Sequence, residues 1–452
     1  MRKKIFEDYP IPKAILTLAI PTILGMLITV VYNLVDAFFI GQTGDTFQVA
    51  AVSLVMPFFY TMMAVGGIFG IGGGTYISRL LGKKQVDQAK NVSVFCFYTC
   101  ILFSIILTMI LFGFREPILK LLGTSLDTHG FAREYYLVLV YGAVSIVMQY
   151  CLGHILRAEG ATANVMIGLL IGAVVNIILD PILILNLSLG IKGAAIATVI
   201  GNLCSVIYFI IYLLKGKTVL SIDLKRFFIK KDTVLSIIKI GIPASLNTLL
   251  LSIAFIVLNN HAAIYGDEVV SAVGIAHRIV HFPVLVIIGL AQGLQPFVGY
   301  NYSNRNFDRM IKGSFFTLIL GMIFGFLVFV IYFLFSDELI KIFLNQQNVI
   351  FLGAKFLRIY ASSLPVLIVL FVAMFSFQAF GRSIPAAIFS ISRQGIAFIP
   401  SIFIFNDLFG MHGIVWAQPF SDFFTIVLAF IMYLIIYKKI KVENSTILCL
   451  NN

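Results

Sequence analysis

Long apolar runs follow one another along this chain of 452 residues, with short polar stretches between them. Most runs exceed the roughly 20 residues that an α-helix needs to cross the hydrocarbon core of a bilayer. A membrane admits only helices and closed barrels, because every backbone polar group there needs a partner within the protein. The runs lack the polar–apolar alternation of barrel strands, so they predict transmembrane helices.

The composition agrees with a protein surrounded mostly by lipid. Hydrophobic residues make up 60% of the chain and charged residues 12%, whereas soluble domains carry about 25% charged residues. The polar N-terminus shows no short apolar core followed by a cleavage site, so no signal peptide is expected. The five cysteines lack the spacing of a metal site. Membrane topology explains the net charge of +12 better than nucleic-acid binding does.

Twelve membrane spans are predicted, which makes the fold class an all-α integral membrane protein. Their approximate ranges are 14–41, 47–78, 91–113, 131–156, 162–186, 190–214, 234–263, 268–300, 311–334, 350–380, 383–406 and 411–437. The second and eighth ranges are longer than a bilayer requires, so these helices are expected to tilt or to extend beyond it.

Basic residues are unequally distributed between the two sides that twelve spans define. The side with both termini holds 23 Lys and Arg residues and the opposite side holds 7. Cytoplasmic loops carry the excess of positive charge, so both termini are predicted to be cytoplasmic in a multi-pass protein of the cell membrane. The most basic loop, KGKTVLSIDLKRFFIKKD, lies at the midpoint and is interpreted as a linker and membrane-surface anchor.

The two halves of the chain repeat one another. LAIPTILGML (18–27) resembles IGIPASLNTL (240–249), and the basic loops at 79–90 and 301–312, the glycines at 160 and 381, and LGIKG (189–193) with FGMHG (409–413) follow in the same order. Parallel repeats of this kind build transporters with binding sites near mid-membrane. We therefore expect two pseudo-symmetric six-helix bundles. The predicted segments are a cytoplasmic N-terminal segment (1–13), a first lobe (14–214), a cytoplasmic basic linker (215–233), a second lobe (234–437) and a cytoplasmic tail (438–452).

Two aspartates lie inside apolar runs: Asp36 in VVYNLVDAFFIG and Asp180 in VVNIILDPILIL. A carboxylate at the centre of a membrane helix costs roughly 2.5–3.5 kcal/mol on insertion scales, so a functional role is favoured over simple helix pairing. Asn176 shares a helix face with Asp180, and Pro181 is expected to loosen the helix and free backbone carbonyls. Thr198 and Asp36 lie at a similar depth, roughly 10 Å from the outer ends of their helices. These oxygen-bearing side chains predict one site for a proton or a sodium ion.

The second half lacks such acids, and Leu258 stands at the position equivalent to Asp36. It carries His277 and His281 on one helix face, but no third ligand is in sight, so no metal site is predicted beyond a sodium ion at the first-lobe residues. A structural or proton-sensitive role for the histidines is left open. Asp407 and Asp422 are expected near the outer side or a hairpin and are unassigned. The candidate substrate cavity consists of Tyr32, Asn33, Met62, Met63, His277, Arg278 and His281.

Five motifs resemble the MATE (multidrug and toxic compound extrusion) family: YNLVDAFFIG (32–41), VAAVSLVMPF (49–58), GIGGGTYISRLLG (70–82), VVNIILDP (174–181) and GAAIAT (193–198). The acid-poor second lobe is most similar to the bacterial DinF-type, MepA-like branch. The resemblance implies a V-shaped pair of bundles that exports lipophilic compounds against inward proton or sodium flow. It implies coupling-ion roles for Asp36, Asn176, Asp180 and Thr198. One departure is that the fourth span has no acid at membrane depth, since Glu159 lies at its cytoplasmic end.

The predicted function is multidrug efflux by proton- or sodium-coupled antiport through alternating access. The expected partners are small-molecule drugs or organic cations and the lipid bilayer, without nucleic acid, and the protein is expected to be a monomer with no cofactor beyond the coupling ion. The alternative is a related flippase or exporter of a lipid-linked sugar, which would favour a basic cavity for the pyrophosphate. No nucleophile with a base and no cofactor motif is present, so no enzymatic activity is expected.

Overall fold

The computed structural model describes residues 3–215, 218–227, 230–343 and 346–450, and the side chains beyond residue 435 are not described. Arg2 and Lys217, and the side chains of Lys438, Lys439, Lys441 and Cys449, therefore lie outside the described part of the chain. Within these ranges the chain forms helices and no β-strand. This confirms the predicted all-α fold class.

Among the described residues, ten helices are long and apolar enough to cross a membrane, and the number of spans reaches twelve when each of two bent helix pairs is counted as one span. Spans 1–6 are Ile11–Gly41, Thr46–Gly82, Val86–Gly113, Leu126–Tyr141 with Ala143–Ala158, Thr162–Asp180, and Gly190–Leu214. Spans 7–12 are Lys231–Ala263, Asp267–Ser303, Phe307–Leu334, Gln347–Ala361 with Leu364–Phe380, Ser383–Ile391 with Phe398–Phe409, and Met411–Leu450. Short helices at Lys3–Glu7, Arg115–Leu121, Leu224–Arg226 and Ser336–Lys341 complete the fold.

Spans 4 and 10 are bent, by 56° and 46°. The bend in span 4 lies at Gly142, where a Cβ atom would overlap the side chain of Val199 on span 6. The bend in span 10 lies at Ser362 and Ser363, just before Pro365 in the first turn of the second helix. Proline is tolerated in the first turn because the N–H groups there have no acceptor within the helix, so the N–H that proline lacks is not needed. The sequence predicted both spans but neither bend.

A π-helical turn, Pro181–Asn186, extends span 5 beyond its α-helix, and a second one, Ser392–Ile396, lies between the two helices of span 11. The first lies where Pro181 was expected to loosen the helix.

The residues of positive φ also repeat between the halves. The pairs are Gly44 and Gly266, Lys84 and Arg305, Gly160 and Gly381, and Gly190 and Gly410. Turns of the same backbone geometry thus recur at nearly constant spacing, which agrees with the predicted repeat.

The chain divides into two compact units. The first unit is Leu24–Leu249, and the second unit is Lys3–Ile23 with Leu250–Asn452. The first part of span 1 therefore belongs to the second unit, and the first part of span 7 belongs to the first unit. The predicted lobes, 14–214 and 234–437, place the division in the linker instead, and these lobe boundaries stay a prediction.

The first parts of spans 1 and 7, which we call the exchanged helix parts, pack against glycines of the units to which they belong. In the first unit, a Cβ on Gly67 would lie 2.9 Å from the Ser245 hydroxyl of span 7. In the second unit, a Cβ on Gly289 would lie 3.0 Å from the Cα of Ile23 on span 1. These two contacts are equivalent in the repeat, because Gly289 lies 222 positions after Gly67 and Ser245 lies 222 positions after Ile23. Close backbone approach of this kind is how membrane helices gain packing without a hydrophobic driving force.

The described part of the linker is fixed to the first unit. Thr218 Oγ1 and the backbone N–H of Val219 donate to Glu159 Oε2 at 2.7 and 3.0 Å. Ser93 Oγ donates to the carbonyl of Ser221 at 2.7 Å, and Tyr98 donates to the next carbonyl along the linker at 3.0 Å. Glu159 at the end of span 4 therefore holds the linker in place.

The N-terminal segment is fixed in the same way to the second unit. The ring of Phe6 stacks on Tyr300 of span 8 with centroids 4.8 Å apart, and the Tyr300 hydroxyl donates to Glu7 Oε1 at 2.6 Å. Arg309 of span 9 donates through Nε to the carbonyl of Phe6 at 2.6 Å and through Nη2 to that of Tyr9 at 2.5 Å. Each unit therefore binds the segment that precedes an exchanged span.

Candidate functional site

The first unit brings together the four residues that the sequence assigned to ion coupling. Asp36 lies on span 1, Asn176 and Asp180 on span 5, and Thr198 on span 6. Asn176, Asp180 and Thr198 are buried, with 2%, 0% and 6% of their surfaces exposed. Asp36 is half-buried. The sequence predicted these side chains at a similar depth in the membrane, from the number of residues between each of them and the outer end of its helix.

Asp36 is the centre of this cluster. The Thr198 hydroxyl donates to Asp36 Oδ2 at 3.3 Å. The side chains of Asp180 and Asn176 lie beside the same carboxylate. The backbone carbonyl of Thr198 in turn accepts a hydrogen bond of 2.8 Å from Asn202 Nδ2, which fixes span 6 locally.

Several polar atoms of the cluster are buried and have no hydrogen-bond partner among the residues that the structure describes. They are Asp36 Oδ1, both carboxylate oxygens of Asp180, and both polar atoms of Asn176. Neither aspartate forms an ion pair with any Lys, Arg or His in the described ranges. Because a buried polar group without a partner costs about 1–3 kcal/mol, and more when charged, these oxygens fit a proton or a hard cation.

The backbone next to Asp180 is also altered. Pro181 begins the π-helical turn, and it provides no N–H for the carbonyl one turn earlier in span 5. Carbonyl oxygens released in this way are ligands of the kind that sodium accepts in membrane proteins. A carbonyl left without its donor at this turn would add a neutral oxygen near Asp180.

A cavity opens next to the cluster within the first unit. Its lining residues are Tyr32, Gln149, Leu169, Gly172, Ala173, Asn176, Thr198, Gly201, Asn202 and Ser205. Tyr135 of span 4 is buried and lies within electrostatic range of both aspartates. The sequence had not singled out Tyr135, since a tyrosine in an apolar run gives no signal of its own.

The other predicted cavity residues have different environments. Tyr32 lines the cavity, Met63 is half-buried and Asn33 is exposed. Met62 is fully buried in the hydrophobic core of the first unit, among residues such as Phe58. Contact of these residues with a substrate stays a prediction.

The histidines of span 8 lie in the second unit. The rings of His277 and His281 stack with centroids 6.3 Å apart, and His277 meets the ring of Tyr360 edge-on at 6.2 Å. Both histidines are half-buried, whereas Arg278 is exposed. Arg393 lies within electrostatic range of both rings and forms a buried ion pair with Asp422. The sequence had left that pair unassigned.

The chain has twelve apolar spans in two repeated halves. It also has a buried acidic cluster that no basic side chain neutralises in the described ranges. Both features are typical of an ion-coupled membrane transporter. The MatE family profile matches residues 21–182 and 243–403. Multidrug export protein MepA of Staphylococcus saprophyticus subsp. saprophyticus is 34% identical over 445 residues, which cover 98% of each chain. The protein of the same name from Staphylococcus aureus strain MRSA252 is 33% identical with the same coverage.

Solved structures of transporters have the same fold. One described as the outward-facing conformation of a multidrug resistance MATE family transporter of the MOP superfamily has a TM-score of 0.91 and 25% identity, covering 97% of this chain and 98% of that chain. A MOP superfamily transporter from Pyrococcus furiosus, described by the reverse polarity of its binding pocket, gives the same values. The chain belongs to the MATE family, whose members are ion-coupled transporters and not enzymes. This confirms the family predicted from the sequence.

Proposed function

We propose that this protein exports lipophilic, often cationic drugs in exchange for a proton or a sodium ion bound at Asp36 and Asp180. The observation that carries the proposal is the buried pair of carboxylates. In the described part of the chain, Thr198 donates to Asp36 Oδ2, and the other three carboxylate oxygens have no hydrogen-bond partner. The names of the relatives and solved structures, multidrug export protein and multidrug resistance transporter, support the class of substrate.

Electrostatics explains how such a site couples two fluxes. Two carboxylates at close range cannot both stay ionised in an apolar environment without a counter-ion. A proton or sodium ion that enters from outside neutralises the pair and weakens the attraction for a cationic drug. Loss of that ion on the cytoplasmic side restores the negative charge and the affinity for the drug. Ion and drug thus favour different states of one site, which is the requirement for thermodynamic coupling.

The four coupling residues have separate roles in this mechanism. Asp36 and Asp180 carry the charge, while Asn176 and Thr198 provide neutral oxygens. Tyr32 provides an aromatic wall to the cavity, and a cation is attracted to the face of such a ring. We further propose that both termini are cytoplasmic, that the protein lies in the cell membrane and that it acts as a monomer without a cofactor.

Ethidium efflux from proteoliposomes with an imposed pH or sodium gradient tests the proposal. Asp36→Asn and Asp180→Asn remove one charge each with little change of shape, and we expect either to abolish gradient-driven efflux. Asp407→Asn is the matched control, because this aspartate is exposed near the end of span 11. Comparing the two gradients identifies the coupling ion.

Full gradient-driven efflux by both variants would rule out the coupling role. Transport of a lipid-linked sugar without drug efflux would support the flippase alternative instead. Efflux that fails in Asp407→Asn as well would show a general loss of function and would not support the assignment to Asp36 and Asp180.

A further inference from the structure

A second buried polar cluster lies in the second unit, and the coupling mechanism above does not use it. Arg393 Nε forms an ion pair of 2.8 Å with Asp422 Oδ1, and these side chains are only 14% and 4% exposed. Ser363 donates to Asp422 Oδ2 at 2.9 Å, and Gln418 donates to Asp422 Oδ1 at 2.9 Å. Donors from spans 10, 11 and 12 therefore satisfy the whole carboxylate.

The internal repeat aligns this cluster with the cavity of the first unit. At offsets of 220 or 221 positions, Arg393 corresponds to Gly172, Ser421 to Gly201 and Asp422 to Asn202. Gly172, Gly201 and Asn202 all line the cavity beside the coupling residues. The ion pair thus occupies positions that are equivalent to the cavity wall.

Helix contacts support this equivalence independently of the sequence. In the first unit, a Cβ on Gly172 would lie 2.6 Å from the carbonyl oxygen of Gly201, so spans 5 and 6 are in backbone contact. In the second unit, the Ser421 hydroxyl donates a hydrogen bond to the carbonyl oxygen of Arg393, which joins spans 11 and 12. The same pair of positions forms the helix contact in both units.

The chemistry at these positions differs between the units. In the first unit a glycine and an amide border a cavity, and the nearby acids keep oxygens without partners. In the second unit a guanidinium lies against the acid and over the face of Phe371, with its central carbon 5.1 Å from the ring centroid. Arginine stays charged at any pH at which a protein functions, so the carboxylate of Asp422 has a permanent counter-ion.

We propose that Arg393 is a built-in cation of the second unit, which occupies the carboxylate of Asp422 and so excludes protons and alkali cations from it. Exchangeable ions are then confined to Asp36 and Asp180, and the transporter has a single coupling site. This inference rests on the proposed function for the location of that site. Besides Asp422, His277 and His281 of span 8 lie within electrostatic range of Arg393 in the described part of the chain.

Labelling with dicyclohexylcarbodiimide tests the inference, because this reagent modifies protonated carboxyl groups in apolar surroundings. The full-length protein in nanodiscs is labelled at neutral pH, and the modified residues are mapped by mass spectrometry. In the wild type we expect label on Asp36 or Asp180 and none on Asp422. In Arg393→Gln we expect label on Asp422 to rise about tenfold or more, because an adjacent opposite charge shifts a protonation equilibrium by at least that factor. Arg393→Lys keeps a cation and should stay unlabelled there.

Wild-type Asp422 that is labelled as strongly as in Arg393→Gln would overturn the inference, as would a folded Arg393→Gln whose Asp422 stays unlabelled. The double variant Asp36→Asn/Asp180→Asn tests the same claim with Arg393 in place. It should show no sodium-dependent thermal stabilisation, and residual sodium-dependent stabilisation that Asp422→Asn removes would contradict the built-in cation. Unlabelled Asp36 and Asp180 beside an Asp422 that responds to Arg393→Gln would overturn the coupling proposal alone.

Discussion

The hydroxyl of Thr198 donates a hydrogen bond of 3.3 Å to the carboxylate of Asp36, and this bond joins span 6 to span 1 across 162 positions of sequence. The other carboxylate oxygen of Asp36 has no hydrogen-bond partner in the part of the chain that the structure describes. A proton or cation bound at Asp36 therefore competes with, or adds to, a single neutral donor.

Replacing Thr198 by valine removes this donor while keeping the branched shape of the side chain. A hydrogen bond of this kind contributes about 1 kcal/mol, which corresponds to roughly a fivefold change in affinity. We expect Thr198→Val to shift the half-saturating concentration of the coupling ion by about that factor in an ethidium-efflux assay. Thr198→Ser, which keeps the hydroxyl, is the control and should behave like the wild type. Equal behaviour of the two variants would contradict a role of the hydroxyl.

Removing one member of the Arg393–Asp422 pair should strongly destabilise the protein. The remaining charge would be buried without its partner, which costs about 3–5 kcal/mol. We expect Asp422→Asn to lower the thermal unfolding temperature in detergent, and Arg393→Met combined with Asp422→Leu to recover much of the loss. A double variant no more stable than Asp422→Asn would show that hydrogen bonds to Ser363 and Gln418 matter more than the charge balance.

Gly241 of span 7 should tolerate no side chain. A Cβ there would overlap the backbone carbonyl of Ile68 on span 2, which cannot move like a flexible side chain. We expect Gly241→Ala to lower stability by about 1–3 kcal/mol, as overpacking does. Gly274→Ala is the matched control, because a Cβ at Gly274 has no atom within 4 Å. In thermal unfolding followed by circular dichroism, the control should equal or exceed the wild type.

Glu159 should determine whether the linker stays attached to the first unit. It accepts hydrogen bonds from Thr218, Val219 and the hydroxyl of Tyr212, the last at 3.2 Å. We expect Glu159→Ala to raise amide hydrogen exchange selectively in the linker, because two of these three donors belong to it. Glu134→Ala, at an exposed glutamate of span 4, should leave linker exchange unchanged. Unchanged exchange in both variants would show that the contacts from span 3 suffice.

Glu116, outside the spans, gives a small pH-dependent contribution to stability. The hydrogen bond from Arg133, with further attraction from Arg133, His129 and Arg115, holds the pKa of Glu116 below its ordinary value of 4.5. A carboxyl whose pKa is lowered on folding stabilises the protein above its unfolded pKa, and this stabilisation disappears as the pH falls through the folded value. The difference in unfolding temperature between wild type and Glu116→Gln should therefore be small at pH 7 and vanish below the folded pKa. High salt should remove it as well, because the group is exposed.

The sequence predicts the spans because each is one long apolar run, and the depth of Asp36 and Thr198 follows from counting residues from a hairpin. The bend at Gly142 escapes prediction because it depends on Val199, a contact partner 57 positions away. The pair of Arg393 and Asp422 escapes it for a similar reason. Asp422 was predicted near the outer side or a hairpin and left unassigned. Its buried contacts come from Arg393 of span 11, from Ser363 at the bend of span 10 and from Gln418 one turn earlier in span 12.

The exchange of helix parts between the two units bears on how such a chain came to exist. The first unit includes the first part of span 7, and the second unit includes the first part of span 1. Either six-span half alone would therefore lack a helix part that its unit needs. A half-length polypeptide would complete the packing of its unit only as a domain-swapped dimer, in which each copy provides the first part of one helix to the other copy. In this chain the linker joins the two halves, so the exchange of helix parts is intramolecular and independent of protein concentration. A chain cut in the linker that Glu159 holds is therefore expected to yield two fragments that assemble with one another.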